Sequence, residues 1–261
     1  MIDNLLEYRG FILGSVKREF QSRYANSLLG ALWPLINPLA MIAVYTLVFS
    51  QLMRSRLPGV EGSLAYGFYL CSGFLIWGLF SEIVGRSQTM FLDNANLIKK
   101  VNFPRICLPA VVMLSAVLNF SIAFGIFIGF LLFFGDFPGA PVIAIPLLVA
   151  GVMMFAAGFG VVVGVLNVFF RDVGQAVGVI MQFWFWLTPI VYPVSIIPEG
   201  FRPVVEWNPL TPIISAFQQV LVFGSWPDWR SLVYPVLLSL AVCLAGLWLF
   251  RQRSGELVDE L

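Results

Sequence analysis

Long apolar runs alternate with short polar segments along the chain. Each run has at least 19 residues, close to the length that a helix needs to cross the roughly 30 Å hydrocarbon core of a bilayer. Glu82 is the only charged residue within them. The pattern predicts an all-α integral membrane protein with six transmembrane helices. The six runs cover residues 32–53, 64–84, 106–134, 142–170, 173–197 and 232–250.

The first 31 residues precede these runs and carry a different pattern. Leu13, Val16, Phe20 and Tyr24 recur at spacings of three and four residues, so a helix would place them on one face. Basic residues flank this stripe. We therefore predict that residues 1–31 contain an amphipathic interface helix along the cytoplasmic membrane surface, with a plain solvated segment as the alternative.

The segment before the last run is irregular. Residues 195–229 hold five prolines, and within them residues 213–223 form an apolar run too short to cross a bilayer. Such a run is typical of a re-entrant or interfacial helix. The six-span domain then covers residues 32–253, and residues 254–261 form a charged cytoplasmic tail.

Composition supports a membrane protein and excludes several other classes. Hydrophobic residues make up 59% of the chain and charged residues 11%, with a mean hydropathy of +0.90, whereas soluble domains carry about 25% charged residues. The net charge of +1 gives no indication of nucleic-acid binding. The three cysteines have no metal-ligand spacing, so we expect them to pack as small apolar residues.

The distribution of lysine and arginine predicts the orientation. Six spans place both termini on one side of the membrane. The segments on that side hold eleven of the fifteen basic residues, including all three lysines. Because cytoplasmic loops are enriched in Lys and Arg, we expect both termini to be cytoplasmic and residues 195–229 to be extracytoplasmic.

One polar segment, residues 92–105, separates the second and third runs and contains the pair Lys99 and Lys100. The pattern predicts a short helix here that ends before Pro104. Its apolar side chains would form a small knob between the lysines, although an ordinary positive loop is the alternative reading. The knob would consist of Leu97, Ile98 and Val101.

The sequence lacks the usual signs of an energy source. It has no histidine and no GxxxxGK[ST] phosphate loop. Its carboxylates lie at segment ends, where they do not form a proton relay of the kind that pumps use. These observations favour a transport subunit without a catalytic, metal or cofactor site, energised by another protein. An ion-coupled flippase would need buried ionisable residues, and a glycan-processing enzyme would need clustered acidic groups.

Four motifs, in order, resemble the ABC-2-type permeases that export polysaccharides such as O-antigen, teichoic acid and capsule. The likeness runs from about residue 15 to residue 253. Four motifs in the same order are far more specific than any single one. They are KREFQSRYANSLLGALWPLINPL at 17–39, NLIKKVNFPRICLP at 96–109, FFRDV at 169–173 and LTPIVYPVSIIPEGFRPVVEWNPLTPII at 187–214.

The resemblance implies a homodimer in a bacterial cytoplasmic (inner) membrane, paired with two copies of a separate ATPase that holds ATP and Mg²⁺. The cargo would be a lipid-linked glycan that moves along the dimer axis. A permease for a drug or another small hydrophobic molecule is the alternative. The expected ATPase contacts are Leu97, Ile98, Lys99, Lys100, Val101 and Arg105 with Lys17, Arg18 and Arg23.

Aromatic residues in and near the spans are candidates for the sugar path, because apolar sugar faces stack on aromatic rings. An interfacial belt and lipid-facing rings are the alternative. Trp184 and Trp186 are two residues apart, so at most one of them would line a path beside a straight helix. The candidates are Tyr45, Tyr66, Tyr69, Trp77, Phe183, Trp184, Phe185, Trp186 and Tyr192.

Overall fold

The computed structural model describes residues 7–24, 65–100 and 103–261, with isolated positions between 36 and 47. Within these ranges the regular secondary structure is helical and no residue lies in a strand, which confirms the all-α prediction. Short 3₁₀ helices occur at Ala140–Ala144 and Val194–Ile196. The α-helices are α1 (Arg9–Tyr24), α2 (Ala65–Ser87), α3 (Met90–Asp93), α4 (Ala95–Lys100), α5 (Cys107–Phe134), α6 (Ile145–Phe169), α7 (Asp172–Leu187), α8 (Arg202–Glu206), α9 (Leu210–Phe223), α10 (Val233–Arg253) and α11 (Leu257–Glu260).

Among the residues that the structure describes, four segments are long and apolar enough to cross a membrane, so the chain is a multi-pass membrane protein. They correspond to the second, third, fourth and sixth predicted spans. The first predicted span, residues 32–53, lies outside the described ranges apart from isolated positions. The four segments are Ala65–Ser87, Cys107–Phe134, Ala140–Phe169 and Val233–Arg253.

The fifth predicted span is shorter than the sequence indicates. Helix α7 has 16 residues, about 24 Å of helix, and ends at Leu187 instead of continuing to residue 197. Thr188 is extended, with φ −100° and ψ 133°. Pro189 explains the break, because proline disfavours the helical conformation of the preceding residue and cannot donate a backbone hydrogen bond.

Helix α9 contains the apolar run that was predicted to be too short to cross, and its 14 residues confirm this. One face of α9 is buried against α2 and α6. Leu210, Ile214, Phe217 and Leu221 lie on that face with exposures of 0–1%. Gly224, at φ +58°, ends the helix in a left-handed conformation that glycine adopts without strain.

Helices α6 and α10 cross with their backbones almost in contact. A Cβ atom at Gly158 would lie 2.5 Å from the Cys243 nitrogen, and one at Gly246 would lie 2.7 Å from the Gly158 carbonyl oxygen. These separations leave no room for any side chain. Close approach through small residues is a common way to pack helices in membranes, where dispersion contacts stabilise the interface.

Candidate coupling surface and substrate path

Helix α1 packs on α5, but not through the whole predicted stripe. Ile12 and Val16 are buried, whereas Leu13 is 62% exposed. The face that packs on α5 is therefore centred on Ile12 and Val16, and Leu13 lies outside it. The helix itself is confirmed, while the side chains of Arg23 and Tyr24 lie outside the described ones.

A chain of polar contacts ties α1 to two spans. The Glu19 carboxylate forms an ion pair with Arg86 of α2 and accepts a hydrogen bond from the Ser115 hydroxyl of α5 at 3.0 Å. Arg86 also lies 3.5 Å from Glu82, and the Asn119 amide donates to Glu82 at 2.6 Å. We call these five residues the polar clamp. Glu82 and Arg86 are four residues apart on α2, a spacing that brings both to one helical face.

Sequence reasoning did not single out Glu19, because a carboxylate on a surface helix normally faces water. One signal was present. Glu19 lies seven residues after Ile12 and three after Val16, which places it on their helical face. A carboxylate on the apolar face of an interface helix needs a partner, and Arg86 supplies it.

The predicted short helix in residues 92–105 forms as α4, directly after α3 and Asn94. We call α3, Asn94 and α4 the elbow. The Asn94 amide donates to the Met90 carbonyl at 2.8 Å, which fixes the turn between the two helices. Val101 lies outside the described residues, and Arg105 is half-buried.

The elbow does not project an apolar knob as predicted. Ile98 is only 9% exposed and joins the cluster that contains Ile12 of α1 and Phe250 of α10. The knob interpretation is wrong for Ile98, because this side chain packs into the protein's own core. Lys99 and Lys100 are exposed. The elbow therefore offers its lysines outward and shares a core with α1.

Two further predicted contacts, Lys17 and Arg18, are exposed on α1. The Arg18 guanidinium donates to the Ser15 hydroxyl at 3.1 Å. A cavity of about 440 Å³ lies beside this shared core, and Arg18 of α1 and Leu97 of the elbow both line it. The structure thus brings α1 and the elbow to one side of the molecule, with cationic side chains on the surface of each.

The predicted aromatic path divides into inward-facing and outward-facing side chains. Tyr69 and Trp77 are 5% and 8% exposed. The prediction that they line a path along a dimer axis is wrong, because their own protomer covers them. Trp184 also faces inward, and its ring meets those of Phe80 and Phe155 edge to face.

Phe183 and Trp186 lie on the other side of α7 and are 66% and 60% exposed. This agrees with the expectation that at most one of Trp184 and Trp186 faces a path. The remaining rings are intermediate, since Tyr66 and Tyr192 are half-buried. Tyr45 lies outside the described residues, so its place on the path stays a prediction.

The tyrosines have a structural task that the sequence did not reveal. Residues 188–193 are not helical, so their carbonyl groups lack helical partners, and such groups at membrane depth need donors within the protein. Side chains from α2 and α9 supply them. Tyr66 donates to the carbonyl of Val191 at 2.5 Å, Tyr69 to that of Tyr192 at 3.3 Å, and Gln218 to that of Ile190 at 3.3 Å.

Asn208 joins the end of α7 to helices α8 and α9, which follow it. Its Oδ1 accepts hydrogen bonds from Trp184 Nε1 at 2.9 Å and from the Leu210 amide at 3.1 Å. Its Nδ2 donates to Thr188 Oγ1 at 2.8 Å. Sequence reasoning missed this residue because Asn before Pro is typical of a turn. The four residues hold α8 and α9 in a fixed position against α7.

Comparisons with known proteins agree with this architecture. Residues 12–222 match the family described as ABC-2 type transporter. The chain is 28% identical to an O-antigen export system permease protein RfbA of Myxococcus xanthus, over 100% of this chain and 99% of the relative. It is 30% identical to a protein of the same name from Klebsiella pneumoniae, over 94% and 92%. The polysialic acid transport protein KpsM of Escherichia coli is 22% identical, over 93% of each chain. The chain therefore belongs to the ABC-2 type transporter family.

Proposed function

We propose that the chain is the permease subunit of an ATP-driven exporter that moves a lipid-linked polysaccharide of the O-antigen type across the bacterial inner membrane. The observation that carries the proposal is its end-to-end similarity to permeases named for O-antigen export. Both termini lie in the cytoplasm on this proposal, with residues 195–229 on the opposite side.

Membership of the ABC-2 type family implies a partner ATPase. On our proposal two permease chains pair with two ATPase copies, and the ATPase binds ATP and Mg²⁺. The exposed Lys99 and Lys100 of the elbow and Lys17 and Arg18 of α1 form the polar contacts with it. Val101, Arg105 and Arg23 remain proposed members of the same surface.

The packing supports a way to transmit motion. Ile98 anchors the elbow in the cluster that contains Ile12 of α1, and the polar clamp joins α1 to α2 and α5 through Glu19 and Arg86. Well-packed contacts of this kind resist deformation. A displacement of the elbow by the ATPase therefore moves α1 and the two spans together.

The outer face of α7 is the proposed contact for the glycan. Phe183 and Trp186 present large rings there, and stacking on rings holds a sugar chain without selecting one repeat sequence. A second copy of the chain would close the path on its other side. Tyr66 and Tyr192, which are half-buried, lie near the outer end of this face.

The proposal is tested by deleting the gene in its host and following the glycan. We expect the surface glycan to disappear and its lipid-linked precursor to accumulate inside the cell, with recovery on expression of the intact chain. Normal surface glycan in the deletion strain contradicts the proposal. Sensitivity to hydrophobic drugs, with glycan unchanged, indicates the alternative small-molecule permease.

A further inference from the structure

A cavity of about 560 Å³ opens between α8, α9 and the beginning of α10. Its volume falls within the roughly 300–1,000 Å³ that small-molecule sites occupy. It lies in and beside residues 195–229, on the side opposite the elbow in the predicted topology. It shares no lining residue with α7 or with the rings proposed for the path.

Two aromatic side chains form one wall of the cavity. Trp207 is 74% exposed, and its ring lies 6.2 Å from that of Tyr234 at an angle of 67°. The Tyr234 hydroxyl donates to the Trp207 carbonyl at 3.0 Å, so the pair is held in place through the backbone. The Trp207 ring thus remains accessible to a ligand that stacks.

Polar side chains also line the cavity. They include the carboxylates of Glu206 and Asp228 and the amide of Gln219. Carboxylates accept hydrogen bonds from hydroxyl or ammonium groups, and an amide both donates and accepts. Among the described lining residues there is no lysine or arginine, and Arg202, which lies outside the lining, offsets part of the Glu206 charge at 3.8 Å. The lining is therefore mildly acidic, which favours a neutral or cationic polyhydroxylated ligand over phosphate.

The site is also fixed in position before any ligand arrives. Asn208, directly after Trp207, is bonded to Trp184 and Thr188 at the end of α7. Ile214 and Phe217 of α9 are fully buried. A rigid wall loses little conformational freedom on binding, which favours affinity for a small ligand.

We propose that this cavity is a saccharide-binding site, which takes a neutral or amino sugar by stacking it on Trp207 and forming hydrogen bonds from its hydroxyl groups to Glu206, Asp228 and Gln219. That the sugar belongs to a glycan that emerges from the exporter rests on the proposed function. That the cavity binds a sugar does not rest on it, because binding depends on this cavity alone.

The test measures sugar binding to the purified full chain in lipid nanodiscs, without ATPase or ATP. The probes are glucosamine, N-acetylglucosamine, galactose and mannose, followed by saturation-transfer difference NMR. We expect transfer to at least one probe, with affinity about tenfold weaker in Trp207→Ala because the stacking contact is lost. Gln219→Leu, which removes the amide and keeps a similar size, should also weaken binding. Trp226→Ala is the matched control, since Trp226 is half exposed but lies outside the cavity lining.

Three results overturn the site. One is the absence of transfer to all four probes. A second is equal binding by the Trp207 and Trp226 variants once thermal unfolding shows both to be folded, with Glu206→Gln as the replacement if Trp207→Ala is not folded. Competition by glycerol phosphate at equal strength would instead assign the cavity to lipid headgroups and would also overturn it. If no sugar binds a chain that still restores surface glycan in cells, only the site fails, and the exporter proposal stands.

Discussion

Glu19 of α1 and Arg86 of α2 form an ion pair that joins the N-terminal helix to a membrane span. The two side chains are only 29% and 23% exposed, so water screens their attraction less than at an open surface. The sequence separates the two residues by the entire first predicted span. Their contact fixes where α1 lies beneath the spans.

The ion pair predicts a measurable coupling between the two side chains. In a double-mutant cycle of Glu19→Ala and Arg86→Ala, we expect the free energies of unfolding to be non-additive by about 0.5–3 kcal/mol. Thermal unfolding in detergent supplies the measurement. The exposed pair of Arg253 and Glu256, at 2.6 Å, is the control and should show less than about 1 kcal/mol. Additive effects at Glu19 and Arg86 contradict the clamp.

Trp184 and Trp186 should respond differently to the same substitution. Trp184→Phe removes the indole donor to Asn208, so we expect a loss of about 0.5–1.5 kcal/mol in stability. Trp186→Phe changes an exposed ring and should stay within about 0.5 kcal/mol. Urea or thermal unfolding of the two variants measures both changes in stability. Equal destabilisation by the two variants would mean that the hydrogen bond from Trp184 to Asn208 does not contribute to stability.

The crossing of α6 and α10 predicts a strong dependence on one glycine. Gly158→Ala puts a Cβ atom 2.5 Å from the Cys243 nitrogen, so the helices must separate, at a cost of about 1–3 kcal/mol. Gly151→Ala, on the same helix, meets only an ordinary contact at 3.9 Å and is the control. Melting temperatures in detergent should fall for the first variant alone. A folded Gly158 variant with unchanged melting temperature contradicts the crossing.

The proposed glycan contact on α7 predicts a loss of export without a loss of folding. Phe183→Ala and Trp186→Ala remove exposed rings, so stability should change by no more than about 0.5 kcal/mol. Export should slow because the glycan loses its stacking surface. Gel analysis of surface glycan in complemented cells measures this. Unchanged export in the double variant would assign these rings to lipid contact.

The positions of the long membrane helices were predictable from the sequence. Exposing polar backbone groups to lipid is so costly that a long apolar run must form a helix. The break after α7 was not. Pro189 was visible, yet a proline in a span is often only a kink. The donors that allow the break, Tyr66, Tyr69 and Gln218, come from α2 and α9, so no local pattern links them to it.

The candidate site was predictable in its location and less so in its details. Charge distribution placed Lys99 and Lys100 on a surface, and both are exposed. Ile98 was expected beside them as a knob. The helical spacing in so short a segment does not show whether an apolar side chain contacts a partner protein or packs into the core of the same chain. The contact of Ile98 with the cluster around Ile12 depends on tertiary packing alone.

The central claim is that the elbow transmits the work of an ATPase to the spans. Its most direct test is export per ATP hydrolysed, measured in proteoliposomes that contain the chain and its ATPase. For Lys99→Glu with Lys100→Glu, we expect ATP hydrolysis to persist while export falls by roughly 5–150-fold. This is the fold-change that corresponds to typical coupling free energies between two sites. Charge reversal of Arg202 and Arg230, exposed residues outside the elbow, should leave the ratio unchanged. A wild-type ratio in the lysine variant contradicts the claim.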